Sequence, residues 1–378
     1  MNKLKIISHV YSKLPEPAKE AFVSSANKYV INKINKRITP GSLFIYVTDL
    51  CDAKCKHCFY WEHLNKKTDI LGIEEIKKIV TSLKDPLEKV TLTGGEPFIR
   101  RDLDEICKTI CDNSPDLKGI AICTNGIATD RIISMTKKIL NKIPKHVELF
   151  IYVSIDGRKA LHEHFRDVKN CFERIEDTIM QFKLLKKKHP NITTSVTTTI
   201  TSMNYDEIIP LAHYVKDELR VYHNFILVRS INWGVFTPHK DLLMGTFDVK
   251  DDGAILPSFE KLEYLYDYLT KNGFLKGRTK STIRYSIDTL KRKEKLVECL
   301  SGRLEGVIYQ NGEFSFCELL KPFGNLKDTD FNLYELINSK QGDDRRIKMG
   351  QCACIHSCNM NSSLTGDIKA RMNEIINN

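Results

Sequence analysis

The sequence contains no run of ~18 or more apolar residues, which excludes a membrane-spanning helix. Its opening stretch, MNKLKIISHVYSKLPEP, lacks the long apolar segment and small-residue cleavage site of a secretory signal, so the expectation is a cytoplasmic protein. No segment is of low complexity, and nothing repeats beyond an alternation of strand and helix patterns. Without a secretion signal, the twelve cysteines are expected to bind metal or do chemistry rather than form disulfides. Three of them cluster at 51 to 58 and five at 299 to 358. Cys107, Cys111, Cys123 and Cys171 are scattered between and read as small core residues.

The 378 residues and 42% hydrophobic content allow one large and one small domain with a sizeable core. A net charge of +10 permits an anionic partner, but basic runs such as 33 to 37, 186 to 189 and 291 to 295 read first as solvated helix faces, and no nucleic-acid partner is expected. Residues 1 to 41 read as a basic helical lead-in broken by Pro15, Pro17 and Pro40. Its amphipathic character leaves peripheral membrane contact as an option, with packing on the outside of the barrel as the plainer one.

From residue 42, β-branched apolar runs at 42 to 49, 89 to 95, 118 to 126, 146 to 157, 192 to 201 and 222 to 229 alternate with amphipathic stretches at 72 to 83, 102 to 113, 130 to 143, 171 to 188 and 205 to 219. This is the pattern of repeated βα units around a parallel sheet. Six units predict an α/β fold, a partial (β/α)6 barrel over 42 to 230. A linker with a helix at 258 to 271 follows over 231 to 295, and a small domain with strand-like pieces at 306 to 310 and 313 to 319 completes the chain over 296 to 378.

Cys51, Cys55 and Cys58 follow the first strand directly, so three thiolates project from one loop at the carboxyl end of a parallel sheet, where active sites of such folds sit. Thiolates are soft donors suited to iron and sulfur, and three of them leave one iron of a cubane open. A zinc site completed by His57 or a distant residue is the competing reading. The second strand ends in Thr91, Leu92, Thr93, Gly94, Gly95, Glu96 and Pro97, where two glycines permit close backbone approach to a ligand and a carboxylate stands ready for an ammonium group.

With these two motifs on neighbouring strands, the chain resembles the radical S-adenosylmethionine superfamily over approximately residues 42 to 230. The resemblance implies that Cys51, Cys55 and Cys58 ligate a [4Fe-4S] cluster and that Gly94, Gly95 and Glu96 hold the methionyl amino group of S-adenosylmethionine. It also implies a flavodoxin- or ferredoxin-type electron donor. The aromatic residue usual before the third cysteine is replaced by His57, with Phe59 and Tyr60 just after, so Tyr60 is a candidate for the cofactor site. Ser154, Asp156 and Arg166 lie in a segment similar to the S-I-D-G and H-x3-R pattern of the peptide-modifying branch, and are expected to contact the cofactor's carboxylate or ribose. Asn125, in the Thr-Asn-Gly that ends the third strand, is similarly placed.

The second cysteine group resembles the SPASM and Twitch extensions of the same superfamily: Cys299, then Gly312 five residues before Cys317, then Cys352, Cys354 and Cys358. Five cysteines cannot fill two four-cysteine sites, so the resemblance implies the one-cluster Twitch form and a second, auxiliary [4Fe-4S] cluster. Cys299, Cys317 and Cys358 are the expected ligands, with Cys354 preferred to Cys352 as the fourth; zinc bound by the same thiols competes. The resulting expectation is hydrogen abstraction from an unactivated C–H of a peptide or protein side chain, followed by oxidation through the auxiliary cluster. A polar small molecule or a lipid is the alternative substrate, and a zinc-stabilised nucleic-acid-binding protein the alternative of another class.

Overall fold

The computed structural model describes residues 11, 13–229, 234–244, 255–368 and 370–372. The start of the expected lead-in, parts of the expected 231–295 linker and the final residues lie outside these. The chain opens with α1 (Glu16–Asn35), which Pro17 starts rather than breaks: proline at the first helical positions lacks only an N–H that has no intrahelical acceptor. The βα units follow as β1 (Ser42–Thr48), α2 (Ile73–Thr81), β2 (Lys89–Gly94), α3 (Leu103–Asp112), β3 (Gly119–Thr124), α4 (Thr129–Lys142) and β4 (Glu148–Ser154). Then come α5 (Lys159–Arg166), α6 (Phe172–Lys188), β5 (Ile192–Ile200), α7 (Tyr205–Tyr214) and β6 (Tyr222–Leu227).

These six strands are parallel neighbours in chain order, because each is joined to the next by a connection long enough to include a helix. Alternate residues serve the two faces. Leu43, Ile45, Val90, Leu92, Ile120, Ile122, Leu149 and Ile151 are all at most 1% exposed, and they share one core with Ile76 and Ile79 of α2 and Ile106 and Ile110 of α3. Burial of each such side chain stabilises the fold by roughly 1.5–3 kcal/mol. On the other face, at the carboxyl ends of the strands, Thr93, Cys123, Ser154 and Thr199 line a cavity.

After β7 (Val235–Phe236) come α8 (Phe259–Lys271) and α9 (Gly277–Arg292), the latter unread in the sequence. Next are β8 (Glu305–Ile308), β9 (Glu313–Ser315), β10 (Gly324–Asn325), α10 (Leu333–Ile337), α11 (Lys340–Met349), β11 (Ala353–Cys354) and α12 (Ser357–Ser363). β8 lies parallel to β1, so β10, β9 and β8 extend the barrel sheet to nine strands, while β11 pairs with β7 in a separate ribbon. The second cysteine group is thereby fastened to the same sheet that carries the first. Among the described residues, no helix is long and apolar enough to cross a membrane.

Candidate active site

The cysteine loop is held against the end of β2 by backbone contact. Gly95 N–H donates to Thr48 O at 2.9 Å and Glu96 N–H to Leu50 O at 2.8 Å. A Cβ on Gly94 would fall 2.2 Å from Thr48 O, and one on Gly95 2.1 Å from Leu50 O, so the glycines admit the neighbouring loop's backbone, a role the sequence reading had given to a ligand. From the other side, the last carbonyls of α5 cap the loop: Lys54 N–H donates to Arg166 O and Lys56 N–H to Phe165 O. Asn65 brackets Cys51 by bonding both its N–H and its C=O.

Cys51, Cys55 and Cys58 line a cavity of about 200 Å³ together with Gly94, Gly95, Glu96, Asn125, Ser154 and Arg166. Seven of the expected site residues besides Gly94 and Gly95 therefore converge. Glu96 is buried and accepts from Thr124 Oγ1 (2.9 Å), Asn125 N–H (2.7 Å) and Phe98 N–H (3.1 Å). Burial pushes its carboxyl up to about 7 in spite of those donors. Asn125 Nδ2 is tied to Asp52 on the cysteine loop at 2.7 Å.

Two expected contacts are displaced. Asp156 does not line the cavity: it is fully buried behind Arg166, which it grips by an ion pair while also accepting from Thr199 N–H at 3.0 Å. Burial opposes its charge, but Arg166 and then His57 hold its carboxyl below the usual value. Tyr60 is absent from the lining as well. Its hydroxyl donates to Gln310 Oε1 at 2.9 Å and its ring packs with Tyr46, His63 and Tyr309, because the short helical turn at Trp61–His63 directs it toward β8. The neighbouring Phe59 takes the place in the cavity wall, under the guanidinium of Arg229 at 4.6 Å.

Several lining residues went unread. Arg229 stands just after β6, and the strand-end rule that singled out Asn125 and Ser154 would have found it and Thr199. Cys123, expected in the core, lines the cavity because it shares a strand face with Thr93 and Ser154. His57 fills the aromatic position, 4.8 Å from the ring of Phe165, and burial lowers it to about 4.

The second group divides. Cys299, Cys352 and Cys354 line a small cavity with Thr289, Asn359 and Ser363. Cys317 joins them: Asn359, from that lining, donates to its Sγ at 2.9 Å, and its thiol is raised by burial and then by the nearby Cys354 and Cys299. Cys358 faces elsewhere. Its Sγ accepts from Arg229 Nη2 at 3.4 Å and lies within 4.8 Å of ligand atoms of Glu318 and His356. The structure thus places Cys352 with this set and Cys358 outside it, where the expectation has Cys358 as a ligand and prefers Cys354 to Cys352 as the fourth. Cys352 and Cys354 flank Ala353 on one face of β11, and the turn into α12 carries Cys358 to the opposite side.

Ligand spacing discriminates between metals. Four thiolates ~2.3 Å from one tetrahedral zinc stand about 3.8 Å apart. Among the described residues, Glu318, His356 and Cys358 form the sole set of three His, Cys, Asp or Glu ligand atoms all within 4.8 Å of one another. In neither cysteine set do three sulfurs all lie within 4.8 Å of one another, a wider spacing than one tetrahedral zinc takes. The Glu318 set already encloses a cation, since Arg229 Nη1 donates to Glu318 Oε2 at 2.8 Å. Of the residues lining the first cavity, His57 Nδ1 and the N–H of Arg166 Nε are buried without a hydrogen-bond partner, which leaves polar capacity available to a bound group.

An open parallel sheet that gathers three soft donors and a buried carboxylate at its strand ends defines the class, an α/β protein with a thiol-lined cavity at the carboxyl ends of its strands. The chain matches the model of the radical SAM superfamily over residues 45–215. It is 27% identical over 183 residues to GTP 3',8-cyclase of Vibrio vulnificus (strain YJ016), covering 46% of this chain and 50% of that one; the chain spans about half the length of the curated relatives it matches. In fold it is similar to Streptococcus suis SuiB bound to precursor peptide SuiA, with a TM-score of 0.57, 17% identity and coverage of 88% and 73% of the two chains. It is also similar to anSMEcpe with bound AdoMet and Cp18Cys peptide, with a TM-score of 0.57, 16% identity and coverage of 89% and 98%.

Proposed function

We propose that this protein is a radical S-adenosylmethionine enzyme that oxidises or cross-links a peptide or protein side chain. In this reading Cys51, Cys55 and Cys58 hold the cofactor-binding [4Fe-4S] cluster, and Cys299, Cys317, Cys352 and Cys354 hold a second one. The carrying observation is that Cys51, Cys55 and Cys58 open together on a cavity that also contains the buried carboxylate of Glu96 and the unpartnered Arg166 Nε. When bound, the first cluster and S-adenosylmethionine supply one-electron cleavage of the sulfonium and hydrogen abstraction from an unactivated C–H.

The chain's own residues then position and shield. Glu96 accepts the cofactor's ammonium with the oxygen capacity that its three donors leave over. Arg166, fixed by Asp156 and Cys55, turns Nε toward the cofactor's carboxylate or ribose, with Ser154 and Asn125 beside it. Ile226, Leu227 and Phe59 exclude water from the wall. A flavodoxin- or ferredoxin-type protein donates the electron.

A peptide substrate is supported by the likeness to SuiB and anSMEcpe, whose solved structures include peptides and whose resemblance extends over most of this chain. The cyclase relatives and the cationic Arg229 in the cavity wall favour, as the second reading, a small molecule bearing phosphate. The test is release of 5'-deoxyadenosine by the anaerobically reconstituted, reduced protein, measured alone, with a small peptide encoded beside its gene, and with GTP. Stimulation and a mass change confined to the peptide support the first reading. A change confined to GTP selects the second, and no 5'-deoxyadenosine under any condition rejects both.

A further inference from the structure

The wall of the second cysteine cavity carries polar groups that the count of ligands leaves unexplained. Asn359, in the first turn of α12, is 6% exposed and directs Nδ2 onto Cys317 Sγ at 2.9 Å. It is fixed from behind: its backbone N–H donates to His356 Nδ1 at 3.3 Å, and His356 Nε2 stands 2.9 Å from Glu318 Oε2. On α9, Thr289 is 1% exposed and lines the same cavity beside Cys299, Cys352 and Cys354, and its Oγ1 has no hydrogen-bond partner.

A buried hydroxyl left unpaired is destabilising. A threonine inside a helix has an ordinary remedy in the carbonyl one turn back, which Thr136 uses by donating to Ile132 O at 2.7 Å. Thr289 does not use it. Thr282 and Ser286 on the same helix are also without partners, but neither lines the cavity. Among the side chains that share the cavity wall with Thr289 are the thiols of Cys299, Cys352 and Cys354, whose sulfur can accept from a hydroxyl.

Hydrogen bonds from amide and hydroxyl donors stabilise negative charge on sulfur, and they do so more in the reduced state, which carries one additional electron. We propose that Asn359 and Thr289 donate to the sulfur atoms of the second site and raise its reduction potential, poising that site to take up an electron. The inference rests on the reading of Cys299, Cys317, Cys352 and Cys354 as cluster ligands, and it adds the two residues that set the cluster's redox character. Neither residue bonds the metal.

The experiment uses the full chain carrying Cys51→Ala, Cys55→Ala and Cys58→Ala, so that the second site is observed alone. Asn359→Leu and Thr289→Val remove one donor each at nearly constant volume, while Thr289→Ser keeps the hydroxyl. The expected result is unchanged iron and sulfide content, a midpoint potential moved to more negative values by each substitution, shifts that add in the double variant, and the parent value in Thr289→Ser. Exchange of the parent into D2O is expected to shift the Fe–S stretching bands in resonance Raman spectra, which keeps the test available should a substituted chain fold poorly. Full iron with an unmoved midpoint, or no D2O shift, overturns the proposal. A parent without iron and sulfide overturns instead the cluster reading beneath it.

Discussion

Cys354 and Cys358 are four residues apart, yet they open onto different sites. Cys354 shares a cavity with Cys299 and Cys352, whereas Cys358 Sγ accepts from Arg229 Nη2 at 3.4 Å. Arg229 belongs to the wall of the first cavity, so Cys358 sits between the two sites without joining the second. The structure therefore predicts that Cys354→Ala and Cys352→Ala each strip iron and sulfide from the second site, and that Cys358→Ala retains both. Metal and sulfide quantification on anaerobically purified protein checks this, and loss of iron in Cys358→Ala would restore the family pattern over the geometry.

Glu318 is the hub of the link between the sites. It accepts from Tyr46 Oη (2.8 Å), Arg229 Nη1 (2.8 Å) and His356 Nε2 (2.9 Å). Burial works against its charge, but Arg229 and then His356 and Tyr46 hold the carboxyl down at about 2. A carboxyl depressed on folding contributes stability that is complete above its unfolded value near 4.5 and is lost as the pH falls toward 2. Glu318→Gln is expected to cost about 3–5 kcal/mol at neutral pH, since it strands a buried guanidinium. Denaturant unfolding followed across pH should show the gap to wild type closing below pH ~4.5.

Gly95→Ala tests how the cysteine loop is held. With a Cβ 2.1 Å from Leu50 O, the loop that begins at Cys51 must move away from β2. The expected outcome is loss of the first cluster's iron with the second set's content unchanged. Uniform loss of iron from both sites would indicate general misfolding rather than this local clash.

Glu96 supplies a pH dependence. Its carboxyl lies at about 7 in the folded chain because of burial, above its ordinary value of 4.5. Between those two values the folded state holds the extra proton, so this residue's contribution to stability falls as pH rises through that window. A cationic ligand selects the ionised form, so affinity for S-adenosylmethionine should rise roughly tenfold per pH unit up to about 7 and level off above it. Equilibrium binding to the reconstituted protein reads this directly. A flat wild-type profile would show that Glu96 does not meet the ammonium, and Glu96→Gln should bind more weakly at every pH.

The sequence carried the six parallel strands and the first site because both are local. Short β-branched apolar runs alternating with amphipathic helical stretches mark the strands, and the Cys51 loop and Gly94-Gly95-Glu96 follow strand ends whose position fixes where they project. What it could not carry depends on direction and on distant pairing. The spacing of Cys352, Cys354 and Cys358 does not reveal that β11 points the first two one way and α12 the third another. Tyr60 and Phe59 are adjacent, and only the turn at Trp61–His63 decides which of them faces the cavity. The parallel pairing of β8 with β1 joins residues more than 260 apart, beyond the reach of any local pattern. The strand-end position of Asp156 likewise does not reveal that it pairs with Arg166 and stays out of the cavity wall.

The account stands on two cysteine sets holding two separate clusters, and iron and labile sulfide counting tests it most directly. The anaerobically reconstituted wild type should contain about eight of each, the Cys51→Ala, Cys55→Ala, Cys58→Ala variant about four, and a Cys299→Ala, Cys317→Ala variant also about four. Stoichiometric zinc in place of iron, or a cysteine-loop variant whose iron equals that of the wild type, would contradict it.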